Sequence, residues 1–291
     1  MAVFWAAVSS GMLAVLWVIV RDVSSRIPSV EVTFFATFFG LLMFIPWLVR
    51  RGKQVFVTRR LGTHLVRGVL NAVGVLAWFT ALSMLPLADA AALILLMPLG
   101  VIVGAMLFLG ENVGPRRWLA LAIGIFGALV IVRPGIETVG IGVGLVMITV
   151  VCGATQRLIA KSLTRTESSS TSVIYLMMFM APVTFIVALF VWQTPAPSDL
   201  LKLLFAGFLL SGAHFTFMHS IRLADVSALE PVNFTRLVWA AILGYVFFAE
   251  IPDIWTWIGG ALIVGATTYV ARREAAIRKR QLADAESRSI G

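Results

Sequence analysis

Ten mainly apolar stretches divide the chain, and their length constrains the fold more than any other feature. About 20 residues of α-helix cross the roughly 30 Å of hydrocarbon in a bilayer. The stretches cover about 3–20, 30–49, 65–85, 88–109, 116–132, 140–160, 171–192, 201–221, 228–248 and 254–271. Hydrophobic residues make up 60% of the chain and charged residues 13%, so a water-soluble domain could not cover itself with polar surface. The stretches lack the alternation of membrane β-strands, which predicts an all-α integral membrane protein with ten transmembrane helices.

The distribution of Lys and Arg predicts the orientation of these helices. If the N-terminus lies in the cytoplasm, 18 of the 23 basic residues fall on inner loops or the tail, four fall outside, and Arg236 falls within a span. Such an excess on the cytoplasmic side places both termini in the cytoplasm. The first stretch has neither a basic leading region nor a small-residue cleavage site, so we interpret it as a retained helix.

The net charge of +9 does not indicate a nucleic-acid-binding protein. The basic residues follow the membrane loops, and the tail at 274–291 mixes Lys and Arg with Asp and Glu. We expect this tail to be a solvated or lipid-facing extension. Cys152 is the single cysteine, so neither a disulfide nor a multi-cysteine metal site is expected to hold the fold.

The two halves of the chain align when one is shifted along the other by a constant offset. This offset places Glu111 on Glu250 and aligns GAMLFLGENVGPRRW with LGYVFFAEIPDIWTW. Ten helices divide into five and five, and because five is odd the second copy must be inverted in the bilayer. We therefore predict inverted five-helix repeats at 1–137 and 138–273, an architecture typical of secondary transporters with a central site and alternating access. Duplication without transport is the alternative.

Two segments carry a resemblance to a known family. They are LPLADAAALILLMPLGVIVGAMLFLGENVGPRRWLALAIGIFGALVIVRPG and RLADVSALEPVNFTRLVWAAILGYVFFAEIPDIWTWIGGALIVGATTYVARRE. Both resemble the repeat of the drug/metabolite transporter superfamily, in its EamA-type ten-helix branch. The resemblance covers nearly the whole chain and implies a bacterial inner-membrane carrier that exports amino acids and other metabolites or takes up vitamins and cofactors. Many relatives carry an arginine six residues after an early Glu of the second helix, whereas Glu31 is followed here by Thr37, so that role is not transferred.

The ninth stretch contains polar residues that a lipid-facing helix does not need. A charged side chain at the bilayer centre costs at least about 2.5–3.5 kcal/mol. We predict that Asn233 and Arg236 bind substrate in a central cavity, with Trp239 one turn deeper, and that Glu230 is a structural residue at the helix start. The alternative for Arg236 is a side chain that extends to the lipid headgroups.

Further candidate substrate-binding residues lie in the third, fourth and eighth stretches. Asn71 and Trp78 share a helix face, Met97 lies beside a proline, and the repeat places His214 and Phe217 at corresponding positions. His214 is also a candidate proton carrier, because imidazole titrates near neutral pH. Asn71 and His214 have the alternative of simple interhelical hydrogen bonds.

A last group of residues is expected to be structural or to act in gating. Pro98 and Pro182 interrupt helical hydrogen bonding and can bend their helices. Glu111 and Glu250 end their helices on opposite faces of the membrane, and we interpret them as loop or gate residues rather than substrate contacts.

These patterns lead to one preferred function and two alternatives. We expect a secondary transporter for a small polar metabolite, most of all an amino-acid exporter. The first alternative is uptake of a vitamin or cofactor such as riboflavin or S-adenosylmethionine, with Trp78, Phe217 and Trp239 as stacking surfaces; the second is a non-transporting scaffold. Enzyme motifs and a P-loop are missing, so no catalysis and no cofactor are expected. The expected partners are a small molecule and membrane lipid, and a homodimer is left open.

Overall fold

The chain folds into a bundle of helices. The computed structural model describes residues 1–52, 56–101, 103, 114–134, 140–224 and 226–290, with backbone alone at 47, 51, 226–228, 230, 231, 233 and 274–290. The helices are α1 (Ala2–Ser24), α2 (Ser29–Leu42), α3 (Ile45–Arg51), α4 (Leu61–Met84), α5 (Leu87–Ile94), α6 (Pro115–Val132), α7 (Ile141–Leu163), α8 (Ser169–Leu189), α9 (Pro197–Leu223), α10 (Val226–Phe248) and α11 (Ile254–Ile290). No strand is found in these ranges, which confirms the all-α class.

Seven of the helices are long and apolar enough to cross a membrane. They are α1, α4, α6, α7, α8, α9 and the Ile254–Arg273 part of α11. Three shorter apolar helical pieces, 29–42, 87–101 and 234–248, fall in the second, fourth and ninth predicted stretches. An integral membrane protein is therefore confirmed, while ten spans and the location of the termini stay predictions.

Prolines explain why two of the predicted helices are interrupted. α2 and α3 are separated by a short turn before Pro46, and α5 ends at Ile94, a few residues before Pro98. Proline lacks an N–H group and also disfavours helical geometry in the residue before it. Pro182, by contrast, lies inside α8, which continues to Leu189.

The helix boundaries recur along the chain at the offset seen in the sequence. α1 and α7 have 23 residues each, and their starts, Ala2 and Ile141, are as far apart in the chain as Glu111 and Glu250. The starts of α6 and α11, at Pro115 and Ile254, are separated by the same distance along the chain. The second half of the chain therefore repeats the helix pattern of the first.

The core is built largely by contacts between residues before and after 138. α1 packs on α9 and α10, α2 on α8 and α9, and α4 on α7 and α8, while α6 packs on α11. The α6–α11 contact is backbone to backbone, because a Cβ atom on Gly259 would lie 2.4 Å from the Gly127 carbonyl oxygen. Small residues allow such close helix packing in membranes. A space between the halves is thus enclosed by helices of both.

The bundle has two ends, which we name from α1. The near end contains the starts of α1 and α4 and the ends of α7 and α9; there Lys161 Nζ donates to the Ile221 carbonyl at 2.9 Å. The far end contains the end of α1, where Arg21 Nη1 donates to the Leu85 carbonyl at 2.7 Å. The distribution of basic residues predicts that the near end is cytoplasmic.

Candidate functional site

A cavity of about 120 Å³ lies between the two halves. Helices α1, α4, α7, α9 and α10 and the residues around Met97 form its wall. The polar side chains of the wall are Ser9, Asn71, Thr149, Gln156, Arg157, His214 and Arg236. Because both halves contribute, a movement of one against the other would change the cavity.

Six of the eight residues predicted to bind substrate line this cavity. They are Asn71, Trp78, Met97, His214, Phe217 and Arg236. The seventh, Trp239, does not line it and is 47% exposed. It follows Arg236 by three residues, which turns it about 60° around the helix and out of the wall. The side chain of Asn233 lies outside the described residues.

Arg236 is buried in the wall rather than extended to the end of the bundle. Its side chain is 8% exposed, and its Nε donates to Ser10 Oγ of α1 at 3.3 Å. This placement favours the cavity over the headgroup alternative. A guanidinium in a partly closed apolar site is suited to carbonyl or carboxylate oxygens, because its planar fork presents several donors.

Two further arginines of the bundle were missed in the sequence. The distribution of basic residues places Arg67 and Arg157 with the inner loops, yet they are 1% and 8% exposed. Arg157 lines the cavity, and its guanidinium lies 5.6 Å from the centre of the Phe217 ring. Such a cation–π contact orients the guanidinium along the aromatic face. Their position on an inward helix face, rather than beyond the helix end, is the signal that separates them from loop arginines.

Arg67 supports the wall from behind. Its Nε donates to Gln156 Oε1 at 3.3 Å, and its Nη1 donates to the Ser172 carbonyl at 3.1 Å and to Ser172 Oγ at 2.8 Å. These bonds join α4 to α7 and α8. Since Gln156 lines the cavity, Arg67 fixes the amide that faces it.

Aromatic rings cover part of the cavity wall. Trp17 and Trp78 pack edge to face, with ring centres 5.0 Å apart. Trp17 lies in an almost entirely apolar stretch and is not among the residues predicted from the sequence. Within the described residues the Trp78 Nε1–H group is buried and has no acceptor. Asn71 Nδ2 donates to Met180 Sδ at 3.0 Å, so Asn71 makes an interhelical bond while it lines the wall.

Glu250 ties three elements together at the far end. It forms a salt bridge with Arg21, whose Nη1 lies 3.2 Å from Glu250 Oε2, and it accepts from the Leu87 N–H at 2.9 Å. The Arg21 guanidinium also lies 4.9 Å from the centre of the Phe248 ring. Glu250, just after α10, thus joins α1 to the start of α5, while its gate role stays a prediction. Glu111 and the Glu230 side chain lie outside the described residues.

A second ionic group lies at the same end, closer to solvent. Arg26 pairs with Asp22 and Asp199, each at 2.9 Å, and Lys202 Nζ lies 2.6 Å from Asp22 Oδ2. Hydrogen bonds, first with Asp22 and then with Asp199, raise the pKa of Arg26 above its ordinary value. These pairs join the end of α1 to the start of α9.

Comparisons with known proteins show what the chain is similar to. The EamA-like transporter family matches it over residues 1–133 and 140–272. It is 32% identical over 273 residues to a riboflavin transporter of Rhizobium johnstonii, covering 93% of this chain and 90% of that protein. It is 28% identical over 254 residues to an S-adenosylmethionine uptake transporter of Rickettsia felis, covering 87% and 86%. It is 31% identical over 282 residues to a pseudopaline exporter of Pseudomonas aeruginosa, covering 93% and 95%.

A solved crystal structure superposes on this fold with a TM-score of 0.64, at 19% identity, over 92% of this chain and 98% of that one. At this identity the likeness shows the fold alone. The names of the relatives support a small-molecule membrane transporter, both for uptake and for export. None of these three names is that of an amino-acid transporter, so the expected amino-acid export finds no support there.

Proposed function

The chain belongs to the EamA-like transporter family and is a multi-pass protein of the bacterial inner membrane, and from that premise we propose a secondary carrier that works by alternating access. The observation that carries the proposal is the cavity between the halves, with buried polar groups in an otherwise apolar wall. A site near the middle of the bilayer, shared by two halves, can be exposed to each side in turn.

The proposal includes ten spans in two inverted repeats, at 1–137 and 138–273, with both termini and the tail at 274–291 in the cytoplasm. Seven long and three short apolar helices, and helix starts that recur at a constant offset, support it. In this arrangement Glu250 and its salt bridge with Arg21 close the far end. Separation of this pair is then part of the step that opens the cavity to the far side.

For the substrate we propose a flat heteroaromatic molecule of the riboflavin class. Trp17, Trp78 and Phe217 offer ring surfaces, while Arg236 and Gln156 offer donors to the carbonyl edge of such a ring system. The similarity to a riboflavin transporter agrees with this chemistry. Aromatic stacking alone contributes modestly, about 0.5–1.5 kcal/mol per pair, so the polar edge provides most of the specificity.

S-adenosylmethionine is the second candidate, since another relative is named for its uptake. Its adenine ring could stack in the same way. Its sulfonium cation, however, would share the cavity with the guanidinium groups of Arg157 and Arg236, and like charges in a poorly screened site repel. We therefore place it after riboflavin.

Uptake into liposomes tests the proposal. Purified protein is reconstituted, and labelled riboflavin, S-adenosylmethionine and a mixture of amino acids are offered separately to vesicles that contain the unlabelled compound. We expect exchange of riboflavin above the level of protein-free vesicles and little exchange of the other two. Exchange of the amino acids alone would overturn the substrate assignment, and exchange of nothing in the panel would overturn the carrier.

A further inference from the structure

A buried histidine at the near end has no role in the substrate cavity. His64 lies in the first turn of α4, is 0% exposed, and lies outside the cavity wall. Neither of its ring nitrogens has a hydrogen-bond partner in the described part of the chain. A buried imidazole without partners is costly, since burial of an unbonded polar group is unfavourable by about 1–3 kcal/mol. Such a group needs an explanation.

The neighbours of His64 supply one. His64 Nε2 lies 4.0 Å from Glu167 Oε1, in the segment between α7 and α8, and Glu167 is 7% exposed. Thr58 Oγ1 donates to the same carboxylate oxygen at 2.7 Å. The Tyr175 ring stacks on the imidazole with centres 4.6 Å apart, and its hydroxyl donates to the Phe56 carbonyl at 2.9 Å. We name His64, Glu167, Thr58 and Tyr175 the His64 cluster.

Three arginines surround the His64 cluster. Arg67 lies one turn along α4, and Arg60 precedes that helix, with its guanidinium bonded to the carbonyl and Oγ of Ser162 at 3.0 and 2.8 Å. Arg222 of α9 donates to the Glu167 carbonyl at 2.9 Å. Burial and the positive charges of Arg60 and Arg67 oppose a charged His64, whereas the Glu167 carboxylate favours it. The charge state of His64 therefore depends on how closely Glu167 approaches.

We propose that His64 and Glu167 form a proton-binding site that makes transport depend on the pH at the near end. A proton taken up from water adds to the free imidazole nitrogen, and the resulting imidazolium donates to the Glu167 carboxylate. The two groups need to approach by about 1 Å to reach the length of a charge-assisted hydrogen bond. This bond joins the start of α4 to the segment before α8 and holds the near end closed.

The geometry connects this site to the cavity. His64 precedes Arg67 by three residues, so the two lie on neighbouring positions of the same helix. Arg67 in turn bonds to Gln156, which lines the cavity. An imidazolium at His64 repels the Arg67 guanidinium and moves the bonds that fix the Gln156 amide. This inference rests on the proposed carrier function, because the cavity is its substrate site.

The other two histidines of the chain provide the comparison. His214 lines the cavity, whose wall also carries the positive side chains of Arg157 and Arg236. His219 lies at the near end, between the rings of Trp5 and Phe215 at 5.1 and 6.3 Å. His64 has the Glu167 carboxylate beside it. The proton site proposed here is separate from His214, whose role as a proton carrier stays a prediction.

Exchange of labelled riboflavin at equal pH on both sides tests the coupling. We expect the exchange rate of the wild type to fall by about fivefold or more between pH 8 and pH 5, as is typical of coupled sites. His64→Gln and Glu167→Gln should hold the rate near its pH 8 value throughout. His219→Gln, the matched control at the same end, should keep the fall. A fall that persists in His64→Gln, or that His219→Gln removes, would overturn the proposal.

NMR of protein that carries ¹⁵N-labelled histidine measures the protonation of His64 directly, without a transport assay. The chain has three histidines, so the signals of His64 are those missing from His64→Gln. We expect them to shift as the pH is lowered from 8 to 5, and to shift only at lower pH in Glu167→Gln, since the imidazolium loses its partner. Signals that do not change over this range overturn the proton site. Titration without exchange of any substrate would support the proton site and contradict the carrier function instead.

Discussion

The two ends of the bundle carry different ionisable groups. At the far end, Arg21 pairs with Glu250 and Arg26 pairs with Asp22 and Asp199. At the near end, a histidine without a hydrogen-bond partner in the described residues lies 4.0 Å from Glu167. Arginine and paired carboxylates keep their charge over the physiological pH range, whereas an imidazole does not.

This difference implies that the ends respond to different signals. The far end holds the same ion pairs from about pH 5 to pH 8, so in the proposed mechanism it opens when substrate or the movement of α1 and α10 separates them. In the proton site proposed above, protonation of His64 changes the charge of the near end within that range. The comparison predicts that substitutions at the far end alter access without altering pH dependence, and that substitutions at the near end do the reverse.

Removal of the Arg236 side chain should have the largest effect, because the cavity serves both ends. Truncation of a buried charged contact costs about 2–5 kcal/mol, so Arg236→Ala should lower riboflavin exchange by at least about 30-fold at every pH. Radiolabel exchange in liposomes measures this. Arg236→Lys is the matched control: it keeps the charge but loses the planar fork, and should retain part of the activity. Exchange by Arg236→Ala at the wild-type rate would show that Arg236 does not bind substrate.

Glu250→Gln should have the next largest effect. We expect this effect to be limited to access from the far end. The change leaves the partly buried Arg21 without its carboxylate, which costs about 1.5–3 kcal/mol and favours the open far end by about 10-fold or more. Opening of the far end can be measured with a cysteine introduced at the cavity residue Val75, after the native cysteine is removed by Cys152→Ser. We expect a polar thiol reagent added at the far side to modify this cysteine faster in the Glu250→Gln variant. The acceleration should be equal at pH 5.5 and pH 8. A pH-dependent acceleration would contradict the contrast between the ends.

Asp22→Asn should have the smallest effect at the same end. The side chains of Asp22 and Arg26 are 38% and 41% exposed, and exposed ion pairs contribute about 0–1 kcal/mol. In the Val75 cysteine assay we expect less than about a fivefold change, reduced further at high salt. An effect as large as that of Glu250→Gln would show that the ion pairs of Asp22, rather than the Arg21–Glu250 salt bridge, hold the far end closed.

The sequence predicted the helices better than it predicted the contacts between them. Apolar length located the spans, and prolines account for the two interruptions, because both effects are local. Asn71 and Trp78 were placed in the wall because positions seven residues apart share a helix face. The salt bridge between Arg21 and Glu250 joins residues 229 apart, and no local pattern pairs them.

The errors have a common physical cause. Arg67 and Arg157 were assigned to loops because a count of basic residues does not record which way a side chain near a helix end is turned. Trp239 was expected beside Arg236, yet it is exposed, because an error of about 60° around a helix moves a residue from the cavity to the outside. No local pattern in the sequence singles out His64, because the carboxylate beside it belongs to Glu167, more than a hundred residues later in the chain.

The most direct measurement of the carrier function compares wild type and Arg236→Ala in riboflavin exchange under identical conditions. Liposomes preloaded with unlabelled riboflavin receive labelled riboflavin outside, and retained label is followed with time, with protein-free liposomes as the baseline. We expect the wild type to accumulate label and Arg236→Ala to stay at the baseline, while circular dichroism shows equal helix content. Wild-type retention at the baseline, or equal retention by both proteins, would contradict a riboflavin site in this cavity.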